Sequence, residues 1–194
     1  MMTKPIKTRQ ATGSSSAGFS LIEVVCSIFI LTVGLVTLLG VFALSISTTQ
    51  TAQQDIIAKQ LANEAMESIF TARNTAQVQW NQVQNVGAGT VPDGLFVTGL
   101  QPINNAGADG IFGTADDTTA GAQVLSLPGP NGLPSTTNTL GLTNYKRSVQ
   151  ITPVLRAGIP LSTLRTLQVT VQYSNPRSST PKTYVLTGYI SQYR

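Results

Sequence analysis

The sequence predicts an α+β protein in which one long N-terminal helix, apolar at first and amphipathic later, precedes a C-terminal antiparallel sheet. Three observations carry this expectation. From Phe19 to Ile46 the only ionisable side chains are Glu23 and Cys26. From Ile57 to Ile69 apolar residues recur at every fourth position. In the last third of the chain, apolar and polar residues alternate over several short stretches. The 194 residues are 41% hydrophobic and only 10% charged, which suits one membrane span and one compact domain rather than a multidomain enzyme.

The first element is the apolar run. A helix from Phe19 to Ile46 reaches about 42 Å, against a bilayer hydrocarbon core of about 30 Å, so it spans a membrane with residues to spare. Lys4, Lys7 and Arg9 precede it, and the first basic residue beyond it is Lys59. The positive-inside rule therefore keeps the N-terminus cytoplasmic and exports the remainder. A conventional secretory signal cut near Ala43 to Ser45 is the competing reading. Such signals have apolar regions of only about 7 to 15 residues, and a carboxylate five residues into the run is out of place in one.

After Ser47 the pattern becomes amphipathic. Ile57, Leu61, Ala65 and Ile69 form a stripe, with Gln53, Lys59, Gln60, Asn63 and Glu67 between them. One continuous helix is expected to about Arg73 or beyond. The stretch Gln77 to Gln84 reads equally as helix end or loop, and Asn85, Gly87 and Gly89 end it. Residues 85–143 are dense in Gly, Pro, Asn and Thr, so long loops are expected, with short strands around Leu95 to Thr98 and Gln123 to Leu127.

The C-terminal third is more regular. Val149 and Ile151 alternate with polar neighbours, as do Leu167, Val169, Val171 and Tyr173, while Tyr184, Leu186 and Ile190 share a parity. These are three expected half-buried strands. The segment Asn175 to Pro181 is the expected antiparallel turn between the last two.

The segment GFSLIEVVCSIFILTVGLVTLLGVF, from Gly18 onward, resembles the processing motif of type IV prepilins and type II secretion pseudopilins. The resemblance implies cleavage between Gly18 and Phe19 by a prepilin peptidase and methylation of the new Phe19 amine. It also implies a pilin fold across the chain, and assembly with other pilin or pseudopilin subunits by an inner-membrane platform. Glu23 gains weight from membrane physics as well: an ionisable side chain in a bilayer costs about 2.5 to 3.5 kcal/mol on insertion scales and marks function or a partner. In the family, its carboxylate is thought to pair with the Phe19 amine of a neighbouring subunit; the competing reading is a carboxylate snorkelling at the membrane face. Many major pilins carry a proline in this helix. Here none occurs between Pro5 and Pro92, which favours a minor subunit, and the strands SVQITPV and LRTLQVTVQYS are similar to the PilV/GspI class of minor pilins.

The expected organisation is a cytoplasmic leader over 1–18, a transmembrane and filament-core helix over 19–48, its amphipathic extension over 49–84, a loop-rich variable region over 85–143 and an antiparallel sheet over 144–194. The expected location is the bacterial inner membrane, single-pass and in contact with lipid, followed by a periplasmic pseudopilus or a cell-surface pilus. A second reading is a membrane-tethered extracytoplasmic binding module that uses the prepilin pathway only for delivery.

One further motif is GADGIFGTADDTTAG. Asp109, Asp116 and Asp117 place hard oxygens on a glycine-rich loop, as Ca²⁺ requires, although three carboxylates supply only about half of the 6 to 8 oxygens. The alternative is that Asp and Gly simply make tight solvated turns. Both readings stand on sequence.

Other functions are disfavoured. The chain has no histidine, which removes the commonest general base. Cys26 is the sole cysteine, so no intrachain disulfide forms. The formal charge of +4 includes Lys4, Lys7 and Arg9, and without them the balance is near +1, too little to expect nucleic-acid binding. Asp116 and Asp117 are adjacent in a loop and poorly fixed for acid–base work.

Overall fold

The computed structural model describes residues 18–88, 93–174 and 180–193. The expected leader up to residue 17, and residues 175–179 of the expected turn, lie outside them. The chain forms two compact units, Met1–Thr48 and Thr49–Arg194. Helix α1, Leu21–Asn74, contributes to both.

In the first unit, every side chain from Gly18 to Ile46 is exposed. The segment nevertheless keeps its few polar groups satisfied within the helix. The hydroxyls of Ser27, Thr32, Thr37 and Thr48 donate to the carbonyls of Glu23, Phe29, Gly34 and Ser45 at 2.7, 2.8, 2.8 and 2.9 Å. That is how a hydroxyl is tolerated where no water is available to it.

The second unit begins with the amphipathic half of α1. Its buried residues are Ala58, Leu61, Ala62, Ala65, Met66, Ile69 and Ala72. The expected stripe is therefore right in three of its members, whereas Ile57 is only half-buried. A strict four-residue repeat advances 400° and drifts off one face, so the buried row alternates steps of three and four. Alanine at four of these seven positions lets the helix backbone lie close to its neighbours.

The helix ends at Asn74, so the expected extension to Gln84 is too long. Ala76 sits at φ 61°. The Gln77 amide donates to the Ala72 carbonyl at 3.0 Å and that of Ala76 to Arg73 at 3.2 Å. This is a Schellman termination with alanine where glycine is usual. In the rest of that expected extension only Trp80–Gln82 is helical, as a single 3₁₀ turn. Trp80 anchors that turn, because its Nε1 donates to the Ser162 carbonyl at 2.7 Å and the Arg165 guanidinium lies 4.5 Å from its ring centre.

Among the described residues six strands follow: β1 Gln101–Pro102, β2 Val124–Pro128, β3 Pro134–Gly141, β4 Tyr145–Arg156, β5 Ile159–Tyr173 and β6 Lys182–Ser191. The principal sheet has the order β1-β4-β5-β6, antiparallel throughout. The three strands expected in the C-terminal third are β4, β5 and β6. Their inward residues include Val149, Ile151, Leu167, Val169, Val171, Tyr173 and Ile190, all buried. Fully burying an aliphatic side chain of this size contributes about 1.5 to 3 kcal/mol. Helix and sheet pack closely at Gly188, where an added Cβ would lie 3.3 Å from Met66 Sδ.

The middle region departs from expectation. Around Leu95 to Thr98 there is no strand, only isolated bridges from Phe96 to Asn85 and Thr114. The strand expected near Gln123 to Leu127 is β2, and it pairs with an unexpected partner, β3. β3 carries PSTTNTLG and is largely exposed, so it has no apolar alternation to reveal it. The loops also supply core: Phe96, Ile103 and Ile111 are almost fully buried. Asn85 closes an edge of β4, with Nδ2 donating to the Val149 carbonyl at 2.8 Å and Oδ1 accepting from the Ile151 amide at 2.7 Å. Its side chain takes the place of a neighbouring strand.

Candidate processing and assembly segment

Gly18, Phe19 and Ser20 precede α1 without regular structure, and all three are exposed. The Ser20 carbonyl accepts from the amides of Glu23 at 3.0 Å and Val24 at 3.2 Å, which starts the helix. Nothing lies within 4 Å of a Cβ placed on Gly18. The described fold therefore exerts no steric demand for glycine there.

Phe19 is 80% exposed, and Glu23 stands in the first turn of α1. A carboxylate there is favoured by the unpaired amides of the helix N-terminus. No basic residue occurs between Arg9 and Lys59, so within the apolar segment Glu23 has no side-chain cation. The 54-residue helix is long and apolar enough to cross a membrane over its first half.

The aspartates of the glycine-rich loop are placed differently from one another. Asp109 Oδ1 accepts from the Ile111 amide at 2.8 Å. Asp116 accepts from the Thr114 hydroxyl at 2.6 Å and the Asp109 amide at 3.3 Å. The Thr114 bond, above all, holds the Asp116 carboxyl below the usual range. Asp117 turns inward and is buried, accepting from the amides of Gly113 at 2.6 Å and Gly107 at 3.1 Å. Burial pushes its pKa up, and those amides oppose the shift. Among the described residues, no group of three or more His, Cys, Asp or Glu is arranged to hold a metal ion. All three carboxylates accept from backbone amides of the loop, and Asp116 accepts from the Thr114 hydroxyl as well.

The loop is fastened to the core by groups the sequence did not single out. Gly113 has φ +94°, and a Cβ on it would lie 2.7 Å from Val149 Cγ2, so only glycine fits. Arg147, on the inward face of β4, is buried. It donates to the Leu61 carbonyl at 3.3 Å and lies 4.3 Å from the Phe112 ring centre. Burial lowers its pKa, whereas the charges of Glu64 and Asp117 oppose that. A charge on an inward strand position breaks the apolar alternation of β4, and that break was the available signal.

Residues 13–39 match the family model of the prokaryotic N-terminal methylation motif. That N-terminal motif is consistent with the type IV prepilin-like family, and the long apolar helix followed by an antiparallel sheet matches the type IV pilin fold. Neither the curated proteins nor the solved structures gave a match. The motif marks the chain as a substrate of the prepilin pathway, processed by a prepilin peptidase and assembled with other pilins.

Proposed function

We propose that this chain is a minor pilin or pseudopilin, stored in the bacterial inner membrane, cut between Gly18 and Phe19, methylated on Phe19, and then drawn into a filament. The observation that carries the reading is the methylation motif over residues 13–39, with Glu23 at the fifth position after the cut. Lateral packing of the Phe19 to Thr48 segments would exchange contacts with lipid for contacts between helices, so close packing and interhelical polar pairing, rather than removal from water, would favour assembly. The absence of proline between Pro5 and Pro92 favours a minor subunit of the PilV/GspI kind. The work is mechanical and requires no catalytic group.

Intact mass of the membrane-extracted protein tests this. The expected mature chain begins at Phe19 and carries one added methyl. A mature N-terminus near Ile46, or an uncut leader in assembled filaments, overturns it. Gly18→Leu should leave an uncut precursor in the membrane.

A further inference from the structure

We propose that the tip of the β4–β5 hairpin of one subunit seats in a hollow between α1 and β2 on a second copy of the chain, with Arg156 meeting Glu64. The inference rests on the function proposed above and names one of its contacts. The hollow is open to solvent and holds about 230 Å³, with Ile57, Leu61, Leu125 and Leu142 among its walls and Glu64 and Gln123 among its polar groups. Small-molecule sites run to about 300 to 1,000 Å³, so this one suits a side chain or two. Its polar groups lack a donor. Gln123 Nε2 donates to both Glu64 oxygens, at 2.9 and 3.1 Å, while Gln123 Oε1 is buried with no donor among the described residues. A carboxylate has about four acceptor sites, so Glu64 has room for more. Behind it, Arg147 feels the charges of both Glu64 and Asp117. One guanidinium balances only one of them, and negative charge is left in excess.

The hairpin tip carries the complement. Leu155 and Ile159 are 60% and 69% exposed. Arg156 between them is exposed, and its charge has no partner among the described residues. Arg156 and Ile159 are paired across the hairpin, so a cation and a branched aliphatic stand side by side on one face. The tight turn at Ala157 and Gly158 already holds them, and little freedom is lost on docking. Ile159 meets the apolar walls while the guanidinium fork reaches Glu64 and the orphaned Gln123 oxygen. The two patches lie far apart in one molecule. Arg147, near the start of β4, donates to the Leu61 carbonyl, and Arg156 is the last residue of that strand, nine residues on and about 30 Å away. A chain cannot close this contact on itself. Head-to-tail pairing leaves a free tip at one end and a free hollow at the other, which extends a row of subunits instead of closing a two-fold dimer.

The test uses the full chain in cells, in a Cys26→Ser background, with two tagged copies expressed together, one carrying Ile159→Cys and the other Leu125→Cys. Mild oxidation should join the two tags in one product. Thr187→Cys, on the solvent face of the sheet, should not replace Ile159→Cys in forming it. Arg156→Glu added to the first copy should lower the yield about tenfold, the loss expected when a charge-assisted hydrogen bond is removed. Arg156→Lys should keep most of it, and neither change should move Tm. A yield from Ile159→Cys no higher than from Thr187→Cys overturns the proposal, as does cross-linking of position 159 to a different protein. A chain that keeps its leader overturns the pilin reading and this contact with it, whereas a cut chain without the cross-link overturns the contact alone.

Discussion

The Tyr173 hydroxyl donates to Asp55 Oδ1 across 2.5 Å, tying the last residue of β5 to α1 seven residues after the membrane-competent segment ends. Burial, then the bond to Asp55 and its charge, push the Tyr173 pKa up. The folded state therefore keeps a proton that the unfolded chain releases near pH 10. This contribution to stability is whole below pH 10 and fades as pH rises beyond it. Tyr173→Phe should cost about 1 kcal/mol at neutral pH and flatten the alkaline limb of the stability profile. Chemical denaturation between pH 7 and 11 measures both. An alkaline limb identical in the variant would show that the loss of stability arises elsewhere.

Asp117 holds the glycine-rich loop to the core. Asp117→Ala would strip the Gly107 and Gly113 amides of their acceptor and remove a charge acting on buried Arg147, costing about 3 kcal/mol. Thermal unfolding followed by near-ultraviolet circular dichroism reads this as a clear drop in Tm. The same assay addresses the calcium reading. Because the three carboxylates already accept from the loop, added calcium is expected to leave Tm unchanged, and a rise reversed by chelator would show that the loop rearranges around a metal. An effect of Asp117→Ala within about 0.5 kcal/mol, the range of ordinary surface substitutions, would show that the loop is not held this way.

Two alanines occupy left-handed backbone. Ala157 at φ 51° and Gly158 at φ 81° connect Arg156 and Ile159, which pair across the hairpin. This is a two-residue turn with both central residues at positive φ, where Asn-Gly is preferred. Ala157→Asn should stabilise by about 0.5 kcal/mol, because the Asn side chain hydrogen-bonds locally in left-handed backbone, and Ala76→Gly by a similar amount, because it removes a strained Cβ. Together they should raise Tm by about 2 to 4 °C. Unchanged or lower Tm in both variants would mean that these φ angles carry no strain.

Periodicity made the long helix and the strands β4, β5 and β6 legible, because each buries one face of a regular element. The helix end was less so. Ala76 terminates α1 by backbone geometry, and alanine is the strongest helix former, so composition pointed the wrong way. The core contributed by Phe96, Ile103 and Ile111 was hidden because loop residues are buried singly, with no repeat to detect. β3 was hidden for the opposite reason: an exposed two-stranded ribbon needs no apolar face. The methylation motif was legible because its signal is local, and residues 13–39 match its family model. The loop aspartates were found by type, but their hydrogen-bond partners, loop amides and the Thr114 hydroxyl, follow from the path of the backbone and leave no pattern in the sequence.

Glu23 is expected to govern assembly rather than folding. It lies in the first turn of α1, in the unit separate from the one that holds the sheet, and no basic residue follows it before Lys59. Glu23→Gln should therefore leave leader cleavage and the Tm of the folded domain unchanged. Membrane insertion should become easier, because an intramembrane carboxylate costs about 2.5 to 3.5 kcal/mol on insertion scales. Incorporation into filaments should fall. Once cleaved, each subunit carries a cationic Phe19 amine, and bringing that amine into an apolar filament core is expensive unless a carboxylate meets it. Glutamine offers a hydrogen bond but no charge. The informative measurement is the ratio of sheared-filament protein to membrane protein for wild type, Glu23→Gln and Glu23→Asp. Asp keeps the charge on a shorter stem, so partial recovery relative to Gln is expected if pairing is the cause. Wild-type recovery of the Gln variant in filaments would show that the Phe19 amine is met by something other than Glu23.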